Sequence, residues 1–203
     1  MVDYFIKGGN FMWPILIALI IGLVFVFERF WTLMRASINA RKFNIKIAEA
    51  LRADKVDEAI DICQNTRGPI ANVIQAGLVR MNRGIDAVEK SVMTAGTIEM
   101  AFLERNLVWL ATVVSIAPMI GFLGTVSGMV GAFDAIAKAN DISPSLVAGG
   151  ISEALLTTMF GLIVAIIVQF FHNFFIARID KIVADMEEST QEFVDLLVEK
   201  TTG

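Results

Sequence analysis

The chain has 203 residues, 56% of them hydrophobic, with a mean hydropathy of +0.66. A soluble domain of this size is roughly 45–50% apolar, and here the excess lies in a few long uncharged runs, which argues against an ordinary soluble globule. The net charge of −4 offers nothing to nucleic acid, the single cysteine forbids an intrachain disulfide, and one histidine without a Cys/His cluster gives no metal site.

In chain order, residues 1–10 form a short leading segment. The first uncharged run is Phe11 to Phe27, closed by Glu28 and Arg29 and flanked by Trp13 and Trp31 as interfacial anchors. Only Lys7 precedes it and no small-residue cleavage site follows, so it reads as a span over 11–33 rather than a signal peptide.

A charged region, 34–106, follows. Asn39 to Asn65 reads as one amphipathic helix, with Ile45, Ala48, Leu51, Val56, Ile60 and Cys63 at helical steps and Cys63 as a small packing residue. Arg67-Gly68-Pro69 stops it. A second helix runs from Pro69 to Met81, with proline in the first turn, and Asn82-Arg83-Gly84 breaks it. From Ile85 the pattern predicts one long helix, with no breaker before Pro118, that leads directly into the second span at 107–133.

A short loop, 134–146, precedes the third span, 147–177. Within that span the only acidic or basic side chain is Glu153, and His172 lies near its inner end. The tail, 178–203, reads as an amphipathic continuation. Its stripe of Ile179, Ile182, Val183, Met186, Phe193, Val194 and Leu197 needs a partner in the same chain, in a neighbouring subunit, or both. The fold class expected is therefore all-α: a polytopic membrane protein of three transmembrane helices, the second and third extended into the cytoplasm. Arg29, Arg35, Arg41, Lys42 and Lys46 after span one, and Arg178 and Lys181 after span three, place the 34–106 region and the C-terminus in the cytoplasm. The N-terminus and the 134–146 loop then face the periplasm.

Span two carries Ser115, Pro118, Gly121, Gly124, Thr125, Ser127, Gly128 and Gly131; span three carries Ser152, Glu153, Thr157, Thr158, Gly161 and Ala165. Small residues let helix backbones approach, so Pro118, Gly121, Gly124, Gly128, Gly161 and Ala165 are the expected packing residues. Ala154, Thr158, Gly161 and Ala165 fall on one face. Thr125 and Thr158 are either packing groups or the lining of a polar pathway. Glu153 is either a functional intramembrane carboxylate or an interfacial one held by a helix N-terminus. No acid sits near a midplane, so a proton conductor built from this chain needs a carboxylate from a partner. No phosphate loop or Ser/His/Asp arrangement is present, and neither an enzyme nor a cofactor is expected.

Two segments carry a family resemblance. Ser115-Ile-Ala-Pro118-Met-Ile-Gly121-Phe-Leu-Gly124-Thr125-Val-Ser-Gly128-Met resembles the second-span signature of the MotA/TolQ/ExbB proton-channel family. Gly150-Ile-Ser-Glu153-Ala-Leu-Leu-Thr157-Thr158-Met-Phe-Gly161-Leu resembles its third-span signature. The three-span layout is similar to the ExbB/TolQ branch. The resemblance implies a bacterial inner-membrane pentamer around single-span partners of the ExbD/TolR type, which supply an aspartate facing Thr125 and Thr158, with Glu153 as the family's third-span glutamate. It also implies a TonB- or TolA-like protein downstream: an ExbB-like role energising outer-membrane uptake, or a TolQ-like role in envelope integrity and division. A non-conducting scaffold is the competing reading from another class. Ile167 stands where that branch commonly has proline, so the third helix is expected to run straighter.

Overall fold

The computed structural model describes residues 2–139 and 144–202. Every regular element among them is helical: α1 (Val2–Lys7), α2 (Met12–Ala36), α3 (Ala40–Arg52), α4 (Val56–Asn65), α5 (Pro69–Leu78), a 3-10 turn (Met81–Arg83), α6 (Ile85–Glu104), α7 (Leu107–Ala139) and α8 (Pro144–Thr202). Three helical stretches, carrying α2, α7 and α8, are long and apolar enough to cross a membrane. The chain divides into two compact units: Met1–Glu28 with Asn106–Phe174, and Arg29–Arg105 with Phe175–Gly203.

The first unit is apolar on its outside. Trp13, Phe27, Met119, Phe122, Phe133, Leu155, Ile166 and Phe170 are all exposed, while Ala18, Ala117, Ala132, Ala154, Val164 and Val168 are buried. Gly22 of α2 lies against Val168 and Val113, and a Cβ there would come within 2.9 Å of Val168. Phe25 stacks on Trp109 at 5.9 Å. The leading segment carries a short helix: α1 ends at Lys7, just before Gly8-Gly9, and the Phe5 ring meets Trp13 edge-on at 5.5 Å. Pro118 does not end α7. Proline inside a spanning helix is tolerated when neighbours meet the freed backbone groups.

The second unit is a conventional core. α5 is buried almost all round, and its Ile70, Val73, Ile74 and Leu78 are enclosed by Phe43 and Ile47 of α3, Ala59 and Cys63 of α4, and Val88 and Val92 of α6. Met186, Phe193 and Leu197 of α8 complete it. The tail stripe thus finds its partner in the same chain. Burying each such side chain stabilises by roughly 1.5–3 kcal/mol. Gly77 is the slot for Phe193: a Cβ there would stand 2.7 Å from both Phe193 and Val92. Polar pairs fix the tail further, with Asn44 donating to Glu192 at 2.7 Å and Arg178 to Ser37 at 2.8 Å. Lys200 donates to the Leu51 carbonyl at 3.2 Å and pairs with Asp54. Arg29, fully buried, donates to the Leu103 carbonyl at 3.1 Å.

Four expectations need correction. The single helix read over Asn39–Asn65 is two helices, because Asp54 takes a left-handed conformation (φ 59°) between α3 and α4. The second helix stops at Leu78, not Met81, and the last residues tighten into the 3-10 turn before Gly84 (φ 94°). The long helix from Ile85 is interrupted at Arg105-Asn106, where Asn106 is left-handed (φ 69°) and donates to Glu28 at 3.3 Å. Asparagine and aspartate enter that region more readily than other non-glycine residues, which periodicity cannot register. Of the loop read over 134–146, residues 134–139 continue α7 and 144–146 begin α8; residues 140–143 lie outside the described residues. α8 runs unbroken through Ile167.

Candidate functional site

Helices α7 and α8 meet along a seam of small residues. A Cβ on Gly161 would fall 2.6 Å from the Ala117 carbonyl oxygen, and one on Gly121 would fall 2.8 Å from that of Thr157. Gly124 faces Thr157, whose Oγ1 lies 2.6 Å from the place a Cβ would take. Gly128 faces Ala154 and Gly150, and Gly150 faces Ala132. Rising numbers on α7 thus meet falling numbers on α8, and the pair is antiparallel. Most of these approaches are to backbone, which cannot rotate away, so larger residues would part the helices.

Close approach brings hydroxyls to carbonyls. The Thr125 and Thr158 hydroxyls are hydrogen-bonded to each other. Thr158 also reaches the Gly121 carbonyl at 3.1 Å, and Thr125 the Ala154 carbonyl at 3.0 Å and the Gly121 carbonyl at 3.3 Å. Both threonines are half-buried, at the rim of the seam. Thr157 is 1% exposed and donates to the Ala154 carbonyl at 2.7 Å, with the Gly121 carbonyl at 3.3 Å. Two carbonyls, one per helix, therefore serve three hydroxyls. By contrast, Thr112 and Ser115 on α7 bond only to the carbonyls of Val108 and Ala111 in their own helix.

Of the residues singled out from sequence, Thr125, Thr158, Gly121, Gly124, Gly128 and Gly161 come together here. Ala165 is buried further along α8, and Pro118 is half-buried next to Ala117. Glu153 is not part of the hydroxyl cluster. Its carboxylate packs on Gly9, where a Cβ would overlap Oε1 at 1.9 Å; the left-handed Gly9 (φ 68°) both makes the turn into α2 and leaves room for it. His172 is half-buried, and its Nδ1 has no hydrogen-bond partner among the described residues. The described residues hold no cluster of three or more His, Cys, Asp or Glu able to bind a metal.

Thr157 and Gly150 were missed as seam residues. The face read from sequence was Ala154, Thr158, Gly161 and Ala165. The face packed on the α7 glycines and alanines is Gly150, Ala154, Thr157 and Gly161, again at steps of four, three and four. Only the matching row on α7 selects between these overlapping faces.

The family model described as MotA/TolQ/ExbB proton channel family matches residues 65–188, which include the whole seam. The chain is 30% identical over 170 residues to an ExbB-like biopolymer transport protein of Synechocystis, covering 82% of this chain and 66% of that one. It is 27% identical over 217 residues to the Tol-Pal system protein TolQ of Haemophilus influenzae, covering all of this chain and 95% of TolQ. It is 29% identical over 148 residues to the biopolymer transport protein ExbB of Salmonella typhimurium, covering 73% and 56%. The chain thus spans just under two thirds of the Synechocystis relative and nearly the full length of TolQ. With its three membrane-length helices and the matched glycine–threonine seam, the chain is a membrane protein belonging to the MotA/TolQ/ExbB proton channel family.

Proposed function

We propose that this chain is the channel-forming subunit of a proton-driven complex in the bacterial inner membrane, acting with an ExbB-like role: energising transport across the outer membrane through a TonB-like protein. The observation that carries the reading is the Thr125–Thr158 hydroxyl pair, half-buried at the rim of the α7–α8 seam. A hydroxyl pair can accept and donate a hydrogen bond but holds no exchangeable charge of its own. The carboxylate comes from a single-span partner of the ExbD/TolR type, inside a ring of five copies of this chain. The outward apolar surface of the first unit supports such a setting, in which lipid, sister subunits and the partner divide that surface among them. The arginines and lysines around the second unit support its placement in the cytoplasm, with the N-terminus outside.

A TolQ-like role is the second reading, supported by the match to TolQ along the whole chain. Complementation separates the two. Expression in one bacterial strain lacking ExbB and in another lacking TolQ is expected to restore outer-membrane uptake in the first and leave the envelope defect of the second; the opposite pattern reverses the assignment. Native mass spectrometry of the chain co-expressed with its single-span partner is expected to give five copies plus partner. Thr158→Val keeps the shape and removes the hydroxyl. Its loss of function under an intact proton gradient marks a channel, whereas normal function marks a scaffold.

A further inference from the structure

We propose that Thr157 is a positioning residue that sets the direction in which the Thr125–Thr158 hydrogen bond points. The inference deepens the channel reading above and rests on it for its consequence.

The argument is a count of acceptors. A carbonyl oxygen accepts two hydrogen bonds. Inside α8 the Ala154 oxygen already takes the backbone N–H four residues on, and inside α7 the Gly121 oxygen does the same. One position is left on each. Three hydroxyls compete for the two: Thr157 and Thr125 lie 2.7 and 3.0 Å from the Ala154 oxygen, and Thr158, Thr125 and Thr157 lie 3.1, 3.3 and 3.3 Å from the Gly121 oxygen. Thr157 is enclosed, with its hydroxyl in the notch left by Gly124, so water cannot serve it and its proton goes to the nearer oxygen, that of Ala154.

Once Ala154 is filled, the shorter contact to the Gly121 oxygen, 3.1 Å from Thr158 against 3.3 Å from Thr125, sets the order of the other two. Thr158 donates to the Gly121 oxygen, and Thr125 donates to Thr158. Thr125 then accepts nothing from the seam, and its oxygen is the one that faces an incoming donor with free lone pairs. Without the Thr157 hydroxyl the reverse order gains the shorter contact: Thr125 donates to the freed Ala154 oxygen at 3.0 Å and Thr158 donates to Thr125, which leaves Thr158 as the free acceptor. Thr157, which touches no partner, thus decides which rim hydroxyl receives a protonated carboxyl.

The test uses the full chain with its single-span partner in proteoliposomes, with proton flux read by an internal pH-sensitive dye and subunit number by native mass spectrometry. Thr157→Val keeps the shape and removes the hydroxyl. It is expected to assemble normally and to lower flux by about ten-fold, the size that the loss of one ordinary hydrogen bond can produce. Thr157→Ser, which restores the hydroxyl, is expected to return flux to within about two-fold of the parent, by the same reasoning. Wild-type flux in Thr157→Val, or equal impairment in Thr157→Val and Thr157→Ser, overturns the assignment. Should Thr157→Val fail to assemble, Thr157→Ala against Thr157→Ser decides the same question. The double variant Thr125→Val/Thr158→Val separates the two levels. If it is silent while Thr157→Val conducts, only the positioning role fails. If it conducts normally, the channel reading fails and takes this role with it.

Discussion

The two units of this protein bury different mixtures of residue. The second unit encloses Phe43, Phe193, Ile47, Ile74 and Leu78, as a water-soluble domain does. The first, apart from Met12, Ile15 and Leu110, encloses mainly glycine, alanine, threonine and valine, and turns Phe122, Phe133, Met119 and Phe170 outward. In water, burying volume drives folding. Among lipid tails a phenylalanine gains little by turning inward, and what holds helices together is close backbone approach and hydrogen bonds between them. The first unit is therefore cohesive through contacts at backbone distance, where one methyl group matters.

That contrast can be broken experimentally, beginning with its strongest consequence. Phe193→Ala is expected to lower the stability of the second unit by about 3–5 kcal/mol, the range for a buried phenylalanine, measured by urea unfolding of the full chain in detergent. Phe122→Ala, in the first unit, is expected to change stability by no more than about 0.5 kcal/mol in the same assay. Similar losses in both would show that the first unit has a volume-driven core after all. Gly161→Val is next. Its new Cβ meets the Ala117 carbonyl, and a loss of about 1–3 kcal/mol is expected, with dispersed amide signals from α7 and α8 in detergent NMR. Adding a methylene to an exposed outer position such as Leu155 is expected to leave those signals unchanged.

Smaller effects sharpen the boundaries of the units. Asn106→Ala forces an alanine into the left-handed region and is expected to cost about 1 kcal/mol, while Asn106→Gly is expected to cost less; equal losses would point to the hydrogen bond to Glu28 instead. Burial pushes the Cys63 thiol up to about 12. The folded state then holds a proton that the unfolded state releases near pH 9. This contribution to stability is complete below that pH and is lost as pH rises toward 12. Cys63 is accordingly expected to resist maleimide at pH 8 until the chain is unfolded, and rapid labelling of the folded chain would contradict the enclosed core.

The smallest effect is local. The Lys200 hydrogen bond, and then its charge, hold Asp54 below its ordinary 3.8. The stabilisation is present above that value and disappears as pH falls through the lower folded one. Lys200→Met is expected to return Asp54 to the ordinary value in an NMR titration and to speed amide exchange only in the last turn of α8.

Much of this was legible in order along the chain. Uncharged length marks the three spans, and the steps of Ile179, Ile182, Met186, Phe193 and Leu197 announce a buried stripe. The breaks at Asp54 and Asn106 were not legible, since the apolar period passes through both and the left-handed turn is a property of single residues in a packed setting. Asn39 was a more readable boundary: its side chain accepts from the Lys42 amide at 3.1 Å, the usual work of a helix N-cap.

By itself the sequence determined the membrane class, the three spans and four of the seam glycines, Gly121, Gly124, Gly128 and Gly161, because each rests on residue type and spacing along one helix. It also brought Thr125 and Thr158 forward as a pair. Only the tertiary structure decided that Glu153 turns to Gly9 rather than to the threonines, and that Thr157 is the enclosed hydroxyl between the two carbonyls. The reason is physical. A helix shows several overlapping faces of small residues, and which one is buried depends on the row that the opposing helix presents.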